Sequence, residues 1–216
     1  MKAQQDRVYG DRVRLVWICA VLAFATARTW AQSTQPAVQV QANPGNVTLS
    51  LDPAQSKLNW MLGTTLHTVH GTFSLKRGIL KFDAANGSAS GEIVVDATSG
   101  QSGNDSRDKK MHGEILESGR YGEVIFRPDR IEGKVLVQGS SNVRVHGTFI
   151  LHGAAHELIV PVQAELAGNH WEGSAKFNVP YIQWGLKSPN TFLLKADPTV
   201  EIELEMHGTV QVAAAR

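Results

Sequence analysis

The side chains with the chemical types for catalysis, metal binding or anion recognition are eight histidines, one cysteine, scattered carboxylates and a polar cluster at Asn104, Arg107, Asp108 and His112. The cysteine, Cys19, lies in an apolar N-terminal run. A disulfide within the chain is therefore impossible, and a cysteine nucleophile in the remaining chain is excluded. His67 and His70 are three apart, which on a strand puts them on opposite faces. His146 and His152 share a strand face but stand about 20 Å apart at ~3.3 Å per residue. No local zinc-ligand spacing is present. Asp96, Asp108, Glu114 and Glu117 have the chemistry for acid–base work, yet no pair is singled out by spacing. The chain also lacks a nucleophile elbow, a phosphate loop and a dinucleotide fingerprint. These residues predict neither an enzyme nor a metal site.

The polar cluster admits two readings. Arg107 has the fork geometry to meet a phosphate or another anionic head group, with a helix N-terminus adding its own attraction. The structural alternative makes Asp108 a helix cap, pairs Arg107 with a carboxylate and leaves His112 on a solvent face. Either reading needs a helix to carry the cluster. Residues 99–126 contain one, predicted over about 106–118. Ser106 and Asp108 are residues of the capping type, Met111 and Ile115 lie four apart on one face, and Gly119 offers the left-handed residue that commonly ends a helix.

Around this insertion the chain is built of alternating segments, the period of half-buried strands. Val200, Ile202, Leu204 and Met206 alternate with Glu201, Glu203 and Glu205, and Trp171, Gly173, Ala175, Phe177 and Val179 oppose His170, Glu172, Ser174, Lys176 and Asn178. Residues 143–151 and 158–166 repeat the pattern, as do the shorter runs 58–62, 69–73, 79–82, 92–97 and 124–126. Arg77-Gly78, Asn86-Gly87, Gly153-Ala154 and Gly168-Asn169 predict turns between them. One helix cannot cover so much half-apolar sheet, so the sheet must cover itself, and short connections favour an up-and-down barrel. Eight strands enclose either a packed interior or one small ligand. Alternation directs Trp60, Phe73, Phe82, Phe126, Phe149, Trp171 and Phe177 to the interior. Glycines at inward positions, Gly71, Gly147 and Gly173, point toward a cavity. Residues 180–195 form a long connection whose Tyr181, Trp184, Phe192 and Leu193 make it either a lid or a plug.

The N-terminus reads as a secretory signal at 1–31. Arg7, Arg12 and Arg14 precede the apolar run 15–27, and Thr29-Trp30-Ala31 offers a small-x-small cleavage pattern, with Ala25-Thr26-Ala27 as a second option. Cleavage after Ala31 would remove 5 of the 21 Lys+Arg and 2 of the 20 Asp+Glu, leaving a balance of −2. That balance offers nothing to a nucleic acid. Residues 32–46 read as a flexible leader, 47–212 as one domain and 213–216 as a tail. The apolar run is too short for a stable membrane span. An outer-membrane barrel would require aromatic girdles, and aromatics are only 7% of the chain.

Several blocks, in this order, resemble the YceI-like family. They are Asp52-Pro53-Ala54-Gln55-Ser56-Lys57, Leu66-His67-Thr68-Val69-His70-Gly71-Thr72-Phe73, Val95-Asp96-Ala97-Thr98-Ser99, and Ser102-Gly103-Asn104-Asp105-Ser106-Arg107-Asp108 with Lys110-Met111-His112. Gly147-Thr148-Phe149-Ile150-Leu151-His152-Gly153 and Val179-Pro180-Tyr181-Ile182-Gln183-Trp184-Gly185-Leu186-Lys187 complete the set. One departure is Gly122, where the family often carries proline. The resemblance implies an all-β, antiparallel, eight-stranded lipocalin-like barrel with one short inserted helix and an apolar lumen. It also implies a bacterial periplasmic or secreted protein that holds a lipid-like molecule, a polyisoprenoid or quinone, with no metal or covalent cofactor. The lumen residues above, joined by Tyr181 and Trp184, are then the ligand-binding candidates, and Asn104, Arg107, Asp108 and His112 the head-group candidates. The alternative is a non-enzymatic structural or stress-associated periplasmic protein with a packed barrel.

Overall fold

The structure is a computed structural model that describes residues 45–136 and 138–213. The predicted signal sequence, the leader through residue 44 and the last three residues of the tail lie outside them. Nine strands run in order: β1 (Asn46–Leu51), β2 (Lys57–Leu62), β3 (Val69–Asp83), β4 (Ala89–Gln101), β5 (Glu123–Glu132), β6 (Gly139–Leu151), β7 (Ala154–Ala167), β8 (His170–Val179) and β9 (Val200–Val212). Between β4 and β5 stand one short helix, α1 (Asp105–Lys110), and a π-helical turn (Met111–Ile115).

All pairings are antiparallel, and the nine strands fill eight places. β1 and β2 share one place between β3 and β9: Leu49 pairs with Leu80 and Val210, and Trp60 pairs with Gly71 and Ile202. The break between them is local chemistry. The Asp52 carboxylate accepts the Ala54 N–H at 2.9 Å and the Gln55 side-chain amide at 2.6 Å, and Pro53 has no N–H to offer a ladder. Pairing of β3 with β4 closes the ring, so the described residues form a closed eight-stranded barrel.

Two expectations are corrected here. Arg77-Gly78 is no turn: residues 69–73 and 79–82 belong to one fifteen-residue strand, with register shifts at Thr72/Ser74 and Leu75/Arg77. Bulges bend the strand without ending it. Gly78 serves close packing, since a Cβ there would come within 2.9 Å of Leu51. The helix is also assembled differently. Asn104 is its cap, with Oδ1 accepting the Arg107 N–H at 3.0 Å. The left-handed residue after it is Glu117 at φ 46°, and Gly119 does not take that conformation.

The wall is buttressed by two apolar clusters. One, around Leu49, Leu75, Phe82, Leu166, Trp171 and Met206, packs the barrel end remote from the helix. The other joins Leu151, Val179, Tyr181 and Leu186 to Ile115 and Leu116 after the helix. Each such buried side chain stabilises the fold by about 1.5–3 kcal/mol. His152 and Gly153, at φ 52° and 77°, form the two-residue turn from β6 to β7, one residue earlier than predicted. Both positive φ values match the turn type that preserves strand twist. Among the described residues no helix is long and apolar enough to cross a membrane.

Candidate functional site

Strand periodicity turns one apolar series from every wall position inward, and the closed wall leaves a cavity of about 300 Å³ between them. Trp60, Phe73, Phe82, Phe126, Phe149, Trp171 and Phe177 all border it, and so does Tyr181. The barrel is therefore not filled by its own side chains. Among the described residues no aspartate, glutamate or histidine lines this space, and no group of three or more His, Cys, Asp or Glu gathers as a metal site.

The inward glycines do not open the cavity, as their lack of side chain had implied. Each seats an aromatic ring. A Cβ on Gly71 would lie 2.3 Å from Cζ2 of Trp60, one on Gly147 2.9 Å from Cζ of Phe126, and one on Gly173 2.9 Å from Cζ3 of Trp171. Ring atoms thus occupy the places where side chains at these positions would begin. The two lumen indoles differ. Trp171 donates its N–H to the Ser50 carbonyl at 3.4 Å, whereas Trp60 Nε1 is buried without a partner among the described residues.

The cavity's charged rim comes from α1. Arg107 is half-buried, borders the cavity, and donates from Nε to Ser102 Oγ (2.7 Å) and from Nη2 to the Ser102 carbonyl (2.8 Å). Among the described residues it has no carboxylate partner, contrary to the structural alternative. Lys110, one turn on, also borders the cavity and donates to the Pro189 carbonyl at 3.1 Å. The sequence reading missed Lys110, although three-residue spacing from Arg107 places both on one helix face. The other candidates are scaffold. Asn104 caps the helix. Asp108 accepts the Ser102 N–H at 2.9 Å and its hydroxyl as well, which orients the serine that holds Arg107. His112 is half-buried rather than on a solvent face: Nε2–H donates to the Gly100 carbonyl and Nδ1 accepts from Ser118 Oγ, each at 2.9 Å.

The connection 180–195 divides into two parts. Its first part plugs the helix end of the barrel. Tyr181 donates its hydroxyl to the Asp197 carbonyl at 2.9 Å, and burial pushes its phenol above the usual tyrosine range, with the Asp197 charge acting in the same direction. Trp184 does not line the cavity. It stacks on His156 with ring centres 4.2 Å apart and leans on Phe149 at 5.6 Å. The second part turns outward, with Phe192 97% and Leu193 79% exposed, so these two close nothing. It is held there by Thr65 N–H to the Lys195 carbonyl and Asp197 N–H to the Gly63 carbonyl, both 2.9 Å.

The model of the YceI-like domain matches residues 49–207. No curated protein matches the chain. Among solved structures, BcnA of Burkholderia cenocepacia is similar at 18% identity and a TM-score of 0.60, over 73% of this chain and 98% of that one. A polyisoprenoid binding domain from Saccharophagus degradans, implicated in plant cell wall breakdown, is similar at 16% identity and 0.58, over 76% and 98%. The YceI protein of Campylobacter jejuni follows at 15% and 0.50, over 65% and 84%. At these identities the likeness is one of fold.

Proposed function

The chain belongs to the YceI-like family, and from that premise we propose that it is an exported carrier for a long apolar, lipid-like ligand, a polyisoprenoid or quinone. The hydrocarbon lies among Trp60, Phe73, Phe82, Phe126, Phe149, Trp171, Phe177 and Tyr181, and the polar head sits near Arg107 and Lys110. The observation that carries this reading is the cavity of about 300 Å³, apolar throughout its walls and bordered by two cations at the helix end. The polyisoprenoid-binding domain of Saccharophagus degradans, with the same fold, supports the ligand class. The absence of carboxylates and histidines from the lining among the described residues favours binding over catalysis. Export rests on the basic, apolar and small-residue pattern of residues 1–31.

Magnitudes set the ligand's length. An isoprene unit buries five carbons, roughly 3–4 kcal/mol at about 0.8 per CH₂. Three units give a gross gain near 10 kcal/mol, against an association and ordering cost of ~4–15. A tail of several units is thus the shortest that is held usefully. Purification from the native compartment, followed by lipid extraction and mass spectrometry, tests the proposal. A long-chain lipid near one equivalent per barrel is expected; repeated recovery of lipid-free protein overturns it.

A further inference from the structure

We propose that two linked turns at the helix end of the barrel are a docking tip for an anionic lipid bilayer, with Leu66, Phe192 and Leu193 among the lipid chains and lysines at the headgroups. The inference adds a partner to the carrier reading, and its apolar part is carried by exposed residues that do not line the cavity. Phe192 is 97% exposed, Leu193 79% and Leu66 71%, the three highest values for large apolar side chains among the described residues. They stand on turns that the backbone holds outward. In one, the Thr191 N–H donates to the Leu194 carbonyl at 2.9 Å and the Leu194 N–H to Thr191 Oγ1 at 3.1 Å, which leaves Phe192 and Leu193 at the tip. In the other, Thr64 Oγ1 accepts the N–H groups of Leu66 and His67 at 3.3 and 3.2 Å. An antiparallel bridge between Thr64 and Ala196, with the Thr65 N–H bonded to the Lys195 carbonyl, ties the two turns together. These backbone groups are satisfied within the turns, and what projects is hydrocarbon.

Charge around the tip selects the surface. Lys187 and Lys195 in the same connection and Lys109 on α1 are exposed and have no carboxylate partner among the described residues, whereas Lys57, Lys76 and Lys176 on the barrel wall each have one. Residues 105–110 and 187–197 carry five cations against three acids. Two of those acids are engaged locally: Asp108 is held by Ser102, and Asp197 lies where a Cβ on Gly63 would come within 2.0 Å of its Oδ2. A protein partner fits poorly, since a specific interface needs about 800 Å² of complementary area on each side, far more than three side chains on two projecting turns supply. A bilayer needs no complementary shape: it takes apolar side chains below its headgroups and draws lysines to anionic ones. The tip also stands beside the cavity rim. Pro189, three residues before Phe192, borders the cavity, and its carbonyl accepts from Lys110, which borders it from α1. Docking by this tip sets the rim against the headgroups, where a lipid would enter.

The test uses the protein recovered from its native compartment and vesicles of phosphatidylglycerol or of phosphatidylcholine. Cosedimentation is expected to show binding to phosphatidylglycerol, weakened at least tenfold by Phe192→Ser with Leu193→Ser and about fivefold by Lys195→Gln. Ile159→Ser, at an exposed apolar residue of the β7 wall, should leave it unchanged. A second readout places the tip directly. With 4-fluorophenylalanine incorporated, the Phe192 fluorine resonance, assigned by its loss in Phe192→Ser, is expected to broaden further when the phosphatidylglycerol vesicles carry a chain-spin-labelled lipid, while the lumen phenylalanines do not. No added broadening at Phe192, equal binding to both vesicle types, or undiminished binding by the double variant overturns the inference. So does pairing with a second copy that the double variant abolishes, since the tip is then a protein contact. None of these outcomes touches the carrier reading, which lipid extraction tests on the same preparation.

Discussion

Glu117 and His152 are the two non-glycine residues of the described chain that adopt the left-handed backbone region, and they are bonded to each other, His152 Nε2 lying 2.5 Å from Glu117 Oε2. Glu117 ends the helical insertion and His152 makes the β6–β7 turn. Two strained positions thus meet in one contact, which ties the cavity's helix to a hairpin of the wall. Tyr121 completes the joint, its ring 4.2 Å from that of His152 and packed where Gly153 has no side chain.

Substitutions at His152 separate its two contributions. Alanine keeps the unfavourable φ and loses the contact, whereas asparagine loses the contact but tolerates the left-handed region. His152→Ala is expected to cost about 1–3 kcal/mol, and His152→Asn about 1 kcal/mol less, read from thermal or denaturant unfolding. Equal losses would show that the backbone at this turn carries no strain.

Glycine substitutions should split by what occupies the missing side chain's place. Gly71→Ala drives a methyl to 2.3 Å from both the Gln101 carbonyl oxygen and the Trp60 ring, and is expected to destabilise by about 1–3 kcal/mol or more. Gly113 and Gly119 meet nothing within 4 Å and have no positive φ. Alanine there should stabilise by about 0.4–1 kcal/mol through the unfolded chain. Unfolding midpoints of the three variants check the ordering.

Those glycines show what the sequence could and could not disclose. The wall was legible because period two is enforced by burial on one face: Val200, Ile202, Leu204 and Met206 turn inward as their spacing requires, as do the seven lumen aromatics. The inserted helix was legible in its start, one residue off, while its end came three residues earlier than predicted, at Ile115. What failed was set by distant contacts. Glu117 takes the left-handed position and bonds His152, thirty-five residues away, while the nearby glycine does not take it. Arg77-Gly78 has turn composition but lies in a bent strand fixed by β1 and β4. Trp184 has the composition of a lumen residue, yet stacking on His156 holds it in the plug. Gly71 and Trp60 are eleven positions apart, so only the register reveals that one seats the other.

Alkaline pH should loosen the plug through Tyr181. Its phenol is raised above the ordinary value by burial first and the Asp197 charge second. A raised acid that is neutral when folded adds stability that is complete below the unfolded pKa of about 10 and is lost as pH rises through the folded value. The wild-type melting temperature is therefore expected to fall above about pH 10. Tyr181→Phe, which cannot ionise, should flatten that part of the profile while costing about 1 kcal/mol at neutral pH for the lost bond to Asp197. Parallel melts from pH 7 upward decide it; identical alkaline slopes would remove Tyr181 as the cause.

Filling the cavity separates the wall's role from that of the space inside it. Ala175 on β8 is 7% exposed, borders the cavity, and pairs with Val162 and Leu204, which also border it. Ala175→Phe sends a ring into existing free volume, so the overpacking cost of about 1–3 kcal/mol that a solid core would impose is largely offset by new apolar contacts. The barrel should keep its strand content and melt near the wild-type temperature. Bound lipid should fall at least tenfold, because the ring occupies the space the tail needs. Circular dichroism and lipid mass spectrometry on the same preparation give both readouts. Wild-type lipid in a well-folded Ala175→Phe protein would place the ligand outside the barrel, since the hydrocarbon and the new ring cannot share that space.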